Sequence, residues 1–150
     1  MIELGIEEAR RTMNEDKGGP FGAVMTRNGK VITVASNTVL SSHDASAHAE
    51  INAIRKAGKI LGKHDLSDCE IYTTGYPCPM CLSAIIWANI KKVYYGTNLD
   101  DAKEIGFRDE FIYEHIKNNG LGELIEFENI EREKCLELFK EYKDSGKEIY

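Results

Sequence analysis

The chain has 150 residues, 42% of them hydrophobic, enough to bury one globular core without disulfide staples. Its 19 basic and 25 acidic side chains give a formal charge of -6, which argues against nucleic acid as a partner and for a small molecule. Met1 to Arg11 mixes charged residues with Ile, Leu and Ala, which excludes a secretory signal or membrane span there. Four cysteines without a leader predict a reducing, cytoplasmic setting, where closely spaced thiols serve as metal ligands or redox groups more often than as disulfides.

In chain order, residues 2 to 16 carry Ile2, Ile6, Ala9 and Met13 at helical spacing and predict a first helix. Gly18-Gly19-Pro20 breaks it. Phe21 to Thr26 and Lys30 to Ala35 then read as a hairpin closed at Asn28-Gly29 by a type I′ turn. The glycines at 18, 19 and 22 are not a phosphate cradle, because no Gly-Lys-Ser/Thr follows and the segment enters a strand; they read as a tight entry turn. Asn37 to Ser46 is polar and turn-rich. It delivers the chain to a second helix, about residues 47 to 61, with Ile51, Ile54, Ala57 or Gly58 and Leu61 as its buried stripe.

Cys69 to Thr74 predicts a third strand, Pro79 to Ala88 a helix, and Val93 to Gly96 a fourth strand, followed by a short helical stretch near Asp101 to Ile105. Phe107 to Ile116 is irregularly patterned and reads as a cover for apolar surface, with a lid over a site as the alternative. Leu124 to Ile130 predicts a fifth strand and Glu131 to Tyr142 a final amphipathic helix. Strands alternating with helices argue for an α/β sheet covered on both faces, with the hairpin as its antiparallel edge, in a single domain spanning residues 1 to 150.

Two motifs carry chemistry. In Pro77-Cys78-Pro79-Met80-Cys81 the cysteines stand i, i+3 at a helix start, where they face the same way and the helix dipole favours thiolates. His48-Ala49-Glu50 opens the preceding helix. One imidazole and two thiolates make three ligands, and three protein ligands leave a fourth tetrahedral position for water, the catalytic zinc arrangement. Glu50 is then free to move protons. His-x-Glu followed by Pro-Cys-x-x-Cys is the signature of zinc-dependent nucleobase deaminases. His43, His64 and His115 read as surface histidines, and Cys69 and Cys135 as small buried hydrophobes. If one of these five completed a four-ligand site, the zinc would be structural and the protein an interaction module; Glu50 beside His48 argues against that. A nucleophilic Cys78 or Cys81 activated by His48 would leave the cysteine pairing unexplained.

Through these motifs, over about residues 18 to 96, the sequence resembles the cytidine deaminase-like superfamily. Gly19-Pro20-Phe21-Gly22-Ala23, Gly106-Phe107-Arg108-Asp109-Glu110-Phe111-Ile112-Tyr113 and the ending Glu148-Ile149-Tyr150 extend the resemblance towards bacterial guanine deaminases. The resemblance implies a three-layer αβα sandwich with a five-stranded mixed sheet and one Zn2+ per chain on His48, Cys78 and Cys81. It also implies Glu50 as general acid and base, with substrate contacts at Asn37, Ala49, Asp109, Tyr150 and Phe21. The implied reaction is hydrolytic deamination of a purine base, guanine to xanthine, by a homodimer that exchanges its C-terminal segments. Where related enzymes often read Glu-Pro-Cys, this chain reads Gly75-Tyr76-Pro77-Cys78, setting a phenol beside a metal ligand. Deamination of another free base or nucleoside, or of tRNA adenosine, stays open.

Overall fold

In the computed structural model, which describes residues 1–149, Asn28 and Gly29 take φ of 51° and 72°. Two successive positive φ values are what a type I′ turn demands, and they fold β1 (Gly22–Arg27) back on β2 (Lys30–Ser36). A shift of register between Met25 and Thr26 bulges the pair. The other edge of β1 pairs antiparallel with β3 (Cys69–Gly75), and β3 pairs parallel with β4 (Val93–Thr97). The result is a mixed four-stranded sheet in the order β2-β1-β3-β4. These elements belong to one compact unit, Met1–Glu114; a second begins at His115.

Alternate residues of β1 serve opposite faces. Ala23 and Met25 join a buried cluster with Ile71 of β3 and with Ala49, Ala53 and Ala57 of α3 (Ala49–Leu61). Spacing of four puts the three alanines on one side of the helix, so its backbone can lie close to the sheet. The stripe expected from the larger side chains is thereby displaced. Ile54 and Leu61 only flank the cluster, and Ile51 packs instead on Cys78 and Cys81. On the same face lies α4 (Pro79–Trp87), the crossover between the parallel strands β3 and β4, contributing Ile85. The opposite face carries α1 (Ile2–Asn14), whose Gly5 lies against Gly22 and Val24. The polar link after β2 contains a short turn of helix, α2 (Val39–Ser42).

After β4 come α5 (Leu99–Glu104), started by a capping box between Asn98 and Asp101, and α6 (Asp109–Lys117). The stretch expected to be irregular, 107 to 116, is thus mostly helical. The fifth strand expected at Leu124 to Ile130 is absent among the described residues: part of that segment forms α7 (Leu121–Leu124), and the rest pairs with no strand. Its alternation of Ile125, Phe127 and apolar neighbours suits a strand, but pairing needs a free sheet edge, which a local pattern cannot supply. The amphipathic helix at the end is α8 (Arg132–Asp144). Every residue from Leu121 to Ile149 is exposed, so Cys135, expected to be a buried thiol, is exposed with its helix.

Gly22 is required by the approach of α1 to β1, because a Cβ there would stand 2.0 Å from the Gly5 carbonyl oxygen. Two backbones must then separate. Gly22→Ala should lose ~1–3 kcal/mol of stability, as overpacked positions do. Gly122→Ala, a site with open space around it, should stay within ~0.5 kcal/mol of the parent. Urea unfolding followed by circular dichroism measures both, and equal midpoints would remove the close-approach argument.

Candidate metal centre and active site

Two helices start at the same place. His48 is the N-cap of α3 and Cys78 the N-cap of α4, both in extended backbone conformation, and neither side chain is spent on capping its helix. Pro79 occupies the first turn of α4, where its missing N–H costs nothing. Cys81 follows one turn inside that helix and is fully buried. The approach to His48 is pinned by Asn52, whose amide donates to the carbonyls of Ser36 (2.9 Å) and Ala47 (3.3 Å) and to Thr38 Oγ1 (3.0 Å). The sequence reading missed Asn52; it lies four residues beyond His48, the only hint the sequence offers.

His48 Nδ1 lies 3.5 Å from Cys78 Sγ and 3.6 Å from Cys81 Sγ. Tetrahedral zinc, with bonds near 2.0–2.1 Å to nitrogen and 2.3 Å to sulfur, sets nitrogen and sulfur about 3.5–3.6 Å apart. The three side chains fit that ion as they stand. Among the described residues they form the only such cluster, with all ligand atoms within 4.8 Å of one another, and no fourth protein ligand joins them. His43 and His64 are exposed, and Cys69 is buried in the core. The donor set is therefore that of a centre with one position open to water.

The pocket's electrostatics favour a cation. The hydrogen bond from Cys81 draws the Cys78 thiol down to about 4, against the opposing effect of burial. The same bond, burial and the Glu50 carboxylate push Cys81 up, so the pair keeps one proton that a metal ion would displace. Glu50 is buried, and desolvation raises its carboxyl above the ordinary range. Its Oε2 stands 3.4 Å from Cys81 Sγ. Asp109, the first residue of α6, is raised by burial and then by Cys78.

A small cavity of about 30 Å³ adjoins the cluster, lined by Phe21, Asn37, His48, Glu50, Tyr76, Cys78, Phe107 and Asp109. Of the residues expected to contact substrate, Phe21, Asn37 and Asp109 come together here. Ala49 instead has its side chain in the core cluster, and Tyr150 lies outside the described residues. Asn37 is buried, and its Oδ1 accepts from the backbone amides of Gly19 (3.3 Å) and Val39 (3.1 Å). Phe107, read from sequence as a cover or lid, meets Phe21 edge-to-face with centroids 4.8 Å apart. Tyr113 is a further residue that the pattern did not single out: its hydroxyl donates to the Pro77 carbonyl at 2.7 Å and ties α6 to the metal loop.

Residues 1–97 match the family model of the cytidine and deoxycytidylate deaminase zinc-binding region. The chain belongs to that family. It is a zinc-dependent hydrolytic deaminase. Guanine deaminase of Bacillus subtilis is 48% identical over 115 residues, covering 77% of this chain and 74% of the relative. The X-ray structure of a guanine deaminase from the same organism superposes with a TM-score of 0.92 at 41% identity, covering 99% of this deaminase and 95% of that chain. A guanine deaminase structure from Nitrosomonas europaea gives a TM-score of 0.68 at 33% identity, over 71% of this chain and 62% of that one. The tRNA-specific adenosine deaminase of Agrobacterium fabrum is 41% identical over 95 residues, 63% of this chain and 62% of that relative.

Each metal ligand is one of only three, so His48→Ala, Cys78→Ala and Cys81→Ala should each lose bound zinc or weaken it strongly, while the parent carries one ion per chain. Elemental analysis after dialysis against a mild chelator measures this. Full retention in all three variants would sink the assignment.

Proposed function

We propose that this deaminase converts guanine and water to xanthine and ammonia, with Glu50 moving the protons and Asp109 reading the base. The observation that carries the reading is the convergence of two buried carboxyls, Glu50 and Asp109, on one cavity beside the metal ligands. Ion binding at His48, Cys78 and Cys81 supplies Lewis-acid activation of a water at the open position. Glu50 accepts a proton from that water, gives it to the ring nitrogen beside the amine-bearing carbon, and later helps protonate the departing amine. A C–O bond forms, the exocyclic C–N bond breaks, and ammonia leaves. A raised carboxyl suits this cycle, since it gives and takes its proton closer to neutrality.

Asp109 accepts hydrogen bonds from the N–H edge that guanine presents and cytosine lacks in that form. Asn37, with its oxygen engaged by two backbone amides, offers its amide N–H groups to the cavity it lines. Phe21 supplies an aromatic face for the base. Two guanine deaminases among the similar proteins support the choice of base, and the charge of -6 weighs against tRNA. All four cysteines are free, as expected of a protein working in the cytoplasm.

Glu50→Gln should keep zinc and fold while turnover falls at least ~10²-fold, because an amide cannot carry the proton. Ammonia release from guanine, adenine, cytosine and their nucleosides tests enzyme and substrate together. Near-normal turnover in the variant would remove Glu50 from the mechanism; preference for cytosine, adenine or a nucleoside would overturn guanine.

We further infer that the single domain works as a homodimer with exchanged C-terminal segments, Tyr150 included. Leu124, Ile125, Phe127, Ile130, Leu138 and Phe139 are exposed, an apolar surface that calls for a cover. The outer edge of β4 is unpaired among the described residues, and Leu124 to Ile130 has the strand pattern to complete it. Light scattering should give twice the chain mass. Refolding Glu50→Gln chains with chains lacking residues 148–150 should restore activity, since one site of the mixed dimer keeps both parts. A monomer in solution would end this reading, and confirmed heterodimers without activity would place each tail over its own site.

A further inference from the structure

Tyr76 precedes the metal loop, and the reaction above leaves it unused. Its ring borders two separate spaces. On one side it closes the cavity of about 30 Å³ beside His48, Glu50 and Cys78, room for little more than a water. On the other it walls a cleft of about 350 Å³ formed with Tyr95, Asn98, Leu99, Asp100 and Glu110, within the range of small-ligand sites.

The ring is held from three directions. It meets Tyr95 of β4 edge-to-face, with centroids 5.0 Å apart at 84°, and Tyr113 of α6 at 6.3 Å and 60°. Its own backbone N–H donates to the Thr97 carbonyl at 2.8 Å, while Tyr113 donates to the Pro77 carbonyl at 2.7 Å. The wall therefore moves only if β4, α6 or the metal loop moves with it. The other walls offer a pentose no outlet. Asn37 is buried, and Phe107 packs against Phe21. The groove behind Phe21 is lined by Ile2, Ile6 and Ile105, apolar surface unsuited to sugar hydroxyls.

A free purine ends at its N9–H, whereas a nucleoside carries a pentose there that must pass beyond the cavity holding the base. The cleft behind Tyr76 has the size and the hydrogen-bonding groups for that pentose, but the ring stands between. We propose that Tyr76 is a specificity-determining residue: by walling the catalytic cavity off from the outer cleft, it restricts this deaminase to free bases and excludes their nucleosides. This rests on the guanine reading for the choice of probes, although the wall itself concerns any base.

The test compares zinc-loaded wild type with Tyr76→Ala, Tyr76→Leu and Tyr76→Phe on guanine and guanosine, by ammonia release and by calorimetric binding. Removing the ring should raise kcat/KM for guanosine relative to guanine by at least ~10-fold, the scale on which single steric contacts discriminate, and mainly through KM for the nucleoside. Tyr76→Phe should keep the wild-type ratio, because the ring and not the hydroxyl forms the wall. If a truncated variant turns over too slowly, the ratio of the two binding constants serves the same purpose, and Leu backs up Ala should the latter not fold. An unchanged ratio in a zinc-loaded Ala or Leu variant overturns the wall and leaves the guanine reading standing, as does a wild type that accepts guanosine as readily as guanine. A wild type acting on another free base, opened to that base's nucleoside by the same substitutions, keeps the wall and overturns guanine.

Discussion

The structure depends on one distance requirement: an imidazole nitrogen and two sulfurs, from segments thirty residues apart, must stand about 3.5–3.6 Å from one another around a single point. The separations of 3.5 and 3.6 Å are set by backbone, since His48 and Cys78 are both N-caps and their side chains leave the main chain where a helix begins. The alanine row of α3 brings one helix start close to the sheet, and the β3-α4-β4 crossover places the other at the carboxyl end of β3. Asn52 on one side and Tyr113 on the other then hold the segments around the ligands through hydrogen bonds to main-chain carbonyls.

Burial around that point opposes charge and thereby prepares the chemistry. Glu50 and Asp109 are both raised by desolvation, and two thiols in contact keep a shared proton. Taken alone, each is a destabilising arrangement, because buried anions repel and lack water. A divalent cation reverses the balance by pairing with the thiolates and drawing the carboxyls into use. The fold thus has a reason to bind metal that is separate from catalysis.

Much of this was legible in the chain. Asn28-Gly29 can serve only a tight hairpin, and both residues do take positive φ. The helices at Ala49–Leu61 and Pro79–Trp87 follow from apolar spacing and from proline in the first turn. The stripe of α3 was misread because the pattern weights large side chains, whereas contact with a sheet favours small ones: Ala49, Ala53 and Ala57 lie innermost. Leu124 to Ile130 was misread for a different reason. A strand is a relation between two segments, and alternation in one of them cannot say whether the other has an edge to give.

The sequence by itself determined the chemistry, because His48, Glu50, Cys78 and Cys81 are the only residue types that can make a three-ligand zinc centre with an adjacent proton carrier, and their spacing fixes which face of each helix they share. Only the tertiary structure decided what surrounds that centre. Phe21, Asn37, Tyr76, Phe107 and Asp109 are far apart in the chain and reach one cavity through the sheet and α6. Their juxtaposition is a product of packing over long sequence separation, which no local pattern encodes, and it governs which molecule can reach the metal.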